Sequence, residues 1–127
     1  TDAGYSYPTW PLMGEHLIPP SIYAEGWRSA FEQVTTIQFN HRLFAYGLVL
    51  LVVGVAFRNF RDSADVRVKW GSVGLVVALI FQVTLGISTL LSHVAVPVAA
   101  AHQGGAIVLL TAVLFFTHAR STERSRL

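Results

Sequence analysis

The chain has no cysteine. That excludes a disulfide framework, a thiolate metal site and covalent c-type haem attachment through Cys-x-x-Cys-His. Charge is almost as scarce, at 13% of residues against 53% hydrophobic, and the mean hydropathy is positive. A soluble domain of 127 residues would need more charge to cover its surface. No Asp, Glu, Lys or Arg occurs between Trp70 and Arg120, or between Arg42 and Arg58. A charge at the bilayer centre costs roughly 2.5–3.5 kcal/mol, so long uncharged apolar runs mark membrane spans. The net charge of +2 is too small to suggest nucleic acid, and the cations cluster at span ends. The chain begins at Thr1 without an initiator Met, in a polar, Pro/Tyr-rich stretch rather than a basic n-region, so no signal peptide is expected and the chain reads as a piece of a larger membrane protein.

What is present falls into two parts, residues 1–35 and 36–127. Pro8, Pro11, Pro19 and Pro20 bar a long helix in the first twenty residues, and Tyr5, Tyr7, Trp10, Leu12 and Ile18 supply apolar contacts. This segment reads as an ordered extracytoplasmic loop at headgroup level, where Trp and Tyr rings are favoured. Trp27, Ala30, Phe31 and Val34 then fall at helical spacing, opposite Arg28, Glu32 and Gln33, which predicts a short amphipathic helix lying in the interface.

Three spans follow, at about Thr36–Phe57, Trp70–Ser92 and Val98–Ala119. A basic loop from Asn59 to Lys69 joins the first two, and a short uncharged turn around His93–Pro97 joins the last two, with Pro97 suited to a first helical turn. Arg120, Arg124 and Arg126 form a basic tail. The positive-inside bias places the basic loop and the C-terminus on the cytoplasmic or matrix side. The first and third spans then run in the same direction, from outside to inside. The expected fold is an all-α membrane protein with three transmembrane helices and one short interfacial helix.

On this topology His41 and His102 each lie four or five residues inside the outer end of their helices. At ~1.5 Å rise per residue, both sit within roughly 6–8 Å of the same boundary. Two imidazoles at one depth on neighbouring helices can face each other across a flat iron porphyrin, and two axial His leave no open position, which favours electron transfer. The neighbours are small: Ala99, Gly105 and Ala106 around His102, and Ala45 beside His41. On the middle span Gln82, Gly86, Thr89 and His93 form one polar or small stripe that should face the bundle. Arg42 is the only Lys or Arg at the outer end of a span, where a haem propionate would accept its bidentate fork.

Plainer readings stand beside these. An intramembrane His is often hydrogen-bonded to a neighbouring helix, and Arg42 can snorkel to the headgroups. Gly47 and Gly54 can be packing notches. His93 and His118 fit solvated or interfacial helix ends, and His16 has no assignable role.

Gln38-Phe39-Asn40-His41-Arg42, Gln82-Val83-Thr84-Leu85-Gly86-Ile87-Ser88-Thr89-Leu90 and Ala101-His102-Gln103-Gly104-Gly105 resemble the carboxy-terminal half of haem A synthase. Tyr7-Pro8-Thr9-Trp10-Pro11-Leu12-Met13 with Ile18-Pro19-Pro20 is similar to the extracytoplasmic loop before that family's sixth span. The resemblance covers nearly the whole chain. It implies an eight-span enzyme of two similar four-helix halves that oxidises the C8 methyl of haem o to the formyl group of haem a. It implies further that this half holds haem b through His41 and His102, without catalytic residues of its own. The partners implied are the amino-terminal half, haem o and its synthase, an electron acceptor and the lipid bilayer, in a bacterial plasma membrane or a mitochondrial inner membrane. A fourth helix of the half-bundle would precede Thr1. The alternatives are a small bis-His cytochrome b and a non-haem membrane assembly subunit.

Overall fold

The computed structural model describes residues 7–125; Tyr5 and Arg126, each given a role above, lie outside the described residues. Their architecture is all-α. A 3-10 turn, Gly26–Arg28, leads into a single helical turn α1, Ser29–Glu32, and then into α2 (Val34–Asp62), α3 (Val66–Leu91) and α4 (Val96–Arg124). The last three are each long and apolar enough to cross a membrane.

The helices outrun the spans expected from hydropathy. The basic stretch 59–69 is mostly helical, and only Ser63, Ala64 and Asp65 connect α2 to α3. Hydropathy marks where a helix meets lipid, whereas an established helix gains a hydrogen bond with each further residue and continues into water. Asp65 starts α3 as its N-cap, accepting from the Arg67 N–H at 2.8 Å. Pro97 lies in the first turn of α4, as its fixed φ allows. The turn before it bends through His93 and Val94, both at positive φ, and closes with the Val94 N–H on the Thr89 carbonyl at 2.8 Å.

The expected short helix is present as about two turns over residues 26–32. Gln33 adopts extended backbone angles and breaks it, so Val34 opens α2 instead. So short a helix has little intrinsic stability. Trp27 and Phe31 nonetheless meet edge to face, with centroids 6.5 Å apart, and both rings are exposed.

α3 is the centre of the bundle: α2 and α4 each pack on it, and no Cα of one comes within 8 Å of a Cα of the other. Val52, Val68, Leu75, Leu79, Phe116 and Ala119 form the buried core, towards the end of the bundle away from residues 7–33. There the α3–α4 approach is close enough that a Cβ on Gly71 would stand 3.6 Å from the Phe116 backbone. At the same end Glu123 accepts from the Ser63 hydroxyl and the Asp65 N–H and pairs with Arg120, tying the short connection to the last turn of α4. Gly47 and Gly54 face open space and make no notch among the described residues. Hydroxyls that would be costly in lipid bond back along their own helices, as Ser72, Thr84, Thr89 and Thr111 do to the carbonyl four residues earlier.

Phe116 is 5% exposed, whereas its neighbour Phe115 is 55% exposed. Phe116→Ala is expected to cost about 3–5 kcal/mol of stability and Phe115→Ala far less, read as unfolding in detergent micelles.

Candidate functional site

Because α2 and α4 stand apart on α3, a cavity of about 600 Å³ opens between them. That is within the range of roughly 300–1,000 Å³ typical of small-molecule sites. Its walls are almost wholly apolar, with Val49 and Val52 from α2, Leu79 and Val83 from α3, and Leu109 and Val113 from α4. Trp10 reaches it from the loop, and Val94 from the turn between α3 and α4.

His41 and His102 face each other across this space. Their ring centroids are 6.5 Å apart and their planes nearly perpendicular, at 84°. The spacing is too long for a direct hydrogen bond. With a metal–imidazole bond of about 2 Å and a ring centroid roughly 1.1 Å beyond each nitrogen, two imidazoles on one metal have centroids about 6 Å apart. Among the described residues no three His, Cys, Asp or Glu side chains gather to hold a bare metal ion. Two imidazoles alone suit a metal whose other donors arrive with it, as in a tetrapyrrole.

Polar accounting points to the same place. Among the described residues, four buried side-chain atoms lack a hydrogen-bond partner: Gln38 Oε1, Arg42 Nε, Gln82 Oε1 and His102 Nδ1. All four residues line this cavity. Orphaned buried polar atoms are rare in folded proteins and call for an explanation such as a ligand.

Two glycines set the position of His102. A Cβ on Gly86 would lie 2.9 Å from His102 Cε1, and one on Gly105 would collide with Gln82 Oε1. The middle-helix stripe expected from sequence therefore reaches the site at Gln82, Gly86 and Thr89, whereas His93 lies past the end of α3 and is exposed. His118 is exposed near the far end of α4, and His16 is exposed in the loop, where its backbone pairs with Met13.

Arg42 is only 7% exposed, and its guanidinium is engaged by backbone. Its two terminal nitrogens donate to the carbonyls of Tyr7, Thr9, Pro11 and Leu12 at 2.7–3.2 Å. Gln38, one turn earlier, donates to the Tyr7 carbonyl at 2.9 Å. The loop is thus fastened over one end of the cavity, and of the five guanidinium N–H groups the Nε–H is the one without an acceptor among the described residues. Sequence reasoning missed this clamp, because carbonyl acceptors leave no mark on residue identity. Gln38 and Gln82 were both visible as polar residues on apolar helices.

Residues 1–114 match the family described as cytochrome oxidase assembly protein, COX15-CtaA. The chain is 46% identical over 116 residues to the haem A synthase of Granulibacter bethesdensis, covering 91% of this chain and 30% of that protein. It is 39% identical over 119 residues to the haem A synthase of Rhodospirillum centenum, covering 92% and 32%. It is also 39% identical over 116 residues to the human haem A synthase COX15, covering 90% and 28%. No solved structure matches. The chain belongs to the COX15-CtaA family and is a multi-pass membrane protein that spans about a third of the length of these relatives.

The clamp makes a direct prediction. Arg42→Ala should free residues 7–14, so that chymotrypsin cleaves the Leu12–Met13 bond at least ten times faster than in the parent, whereas the Tyr7–Pro8 and Trp10–Pro11 bonds resist it. Arg42→Lys should fall between the two, since an ammonium with three donors cannot serve four carbonyls.

Proposed function

We propose that this member of the COX15-CtaA family is the part of a haem A synthase that holds a b-type haem, with His41 and His102 as its two axial ligands. The observation that carries this reading is the 6.5 Å spacing of the two rings across an apolar cavity. A haem bound there supplies one-electron chemistry. The chain's own residues then have separate tasks. The two imidazoles would hold the iron. Gly86 leaves room for the ring of His102. The apolar walls keep water from the macrocycle.

Arg42 fastens the loop over the cavity and has its Nε–H left for a propionate oxygen. That is one donor, where the sequence reading assigned it the whole fork.

The whole enzyme would have eight spans in two four-helix halves and would oxidise the C8 methyl of haem o to the formyl group of haem a in its amino-terminal half. In that reading the cavity's open side receives a further helix. Its partners are that amino-terminal half, haem o delivered by haem o synthase, and an electron acceptor. The His41 end faces outward, and the C-terminus lies on the cytoplasmic or matrix side, as the basic residues near Arg61, Arg67 and Arg120 favour. Similarity to haem A synthases over about nine-tenths of this chain supports this function over a free-standing bis-His cytochrome b.

In the full-length protein, His41→Ala or His102→Ala should abolish the low-spin bis-His haem spectrum, and His118→Ala should leave it intact. Equal effects from all three would refute the assignment. Gly86→Ala should lower haem content several-fold at unchanged expression, because the added Cβ displaces the His102 ring; the pyridine haemochrome assay reads it.

A further inference from the structure

An imidazole that binds a metal through one nitrogen carries a proton on the other. The acceptor of that proton sets the ring's orientation and its basicity. Nδ1 of His102 is buried and has no partner. Across the α3–α4 seam, Oε1 of Gln82 is also buried and unpartnered. The same carboxamide donates through Nε2 to the backbone carbonyl of His102 at 3.0 Å. One side chain therefore grips the residue whose ring lacks an acceptor, and it has an acceptor to spare. A Gln so placed is costly on a helix facing lipid, but Gly105 gives it space against α4.

Resting on the assignment of His102 as an axial ligand, we propose that Gln82 is its positioning residue. The amide N–H fixes α4 at the carbonyl of His102, and Oε1 is the acceptor for the Nδ1 proton when the other ring nitrogen binds iron. Gln82 then acts on the haem through His102, tuning how strongly that imidazole donates to the ferric state.

The test uses the full-length, haem-loaded protein in detergent. Gln82→Met keeps the length and bulk of the side chain and removes both polar atoms. Gln82→Glu keeps the shape and offers a stronger acceptor. Midpoint potential is read by optical redox titration, and the g values of the low-spin ferric haem by electron paramagnetic resonance. Gln82→Met should raise the potential, because an imidazole with no acceptor donates less to ferric iron. Gln82→Glu should lower it, and both variants should move the largest g value. A purely structural role would reduce haem content and leave the potential and g values of the remaining haem unchanged. Parental values in both variants would therefore overturn the proposal. If Gln82→Met retains no haem, Gln82→Glu decides alone, and an unchanged or raised potential overturns it. A parent protein without any bis-His signal would overturn the ligand assignment itself, and this inference with it.

Discussion

The seating of α4 on α3 is the constraint on which the rest of the site depends. His102 reaches the cavity only because Gly86 has no side chain where the imidazole edge lies, and because Gly105 admits the carboxamide of Gln82. Since the backbones of α2 and α4 stand apart and each packs on α3, the seating of both on α3 sets the gap between them. A change of a few tenths of an ångström at either glycine would pass directly into the separation of His41 and His102. Membrane bundles favour such small-residue contacts, because apolar side chains gain little by leaving lipid for one another.

The opposite end of the bundle works differently. Its core is ordinary apolar packing around Val68, Leu75 and Phe116, closed by the bonds from Ser63 and Asp65 to Glu123. The cavity end has orphaned polar atoms and a β-branched residue, Val94, at φ +58°. Positive φ is unfavourable for a β-branched side chain, and such strain concentrates where a ligand or a neighbour holds the backbone in place. One end of the molecule thus supplies stability, and the other spends part of it on a site.

Much of this was legible in the sequence. The three spans announced themselves through uncharged runs, and the His41–His102 pair through equal depth on helices of like direction. Of the stripe Gln82, Gly86, Thr89 and His93 read from helical period, the first three line the cavity and His93 lies past the end of α3. Helix ends were less legible, since Arg58, Arg61, Asp62, Arg67 and Lys69 are as comfortable on a hydrated helix as in a loop. The short helix near Trp27 was legible from spacing, but its end was not, because nothing in residue identity marks the extended backbone of Gln33 that parts it from Val34. The role of Arg42 was legible only in part: its place against the positive-inside trend was plain, but its carbonyl partners lie some thirty residues away in sequence.

Those partners also decide what Arg42 does to its surroundings. A carboxylate would have neutralised it, whereas carbonyl dipoles solvate a cation and leave its full unit of charge in place. In a weakly polarisable setting that charge is felt over several ångströms, and it sits at one rim of an otherwise apolar chamber. The loop therefore does more than cover the opening. By solvating a cation that pairs with no carboxylate among the described residues, it leaves that rim of the chamber positively charged.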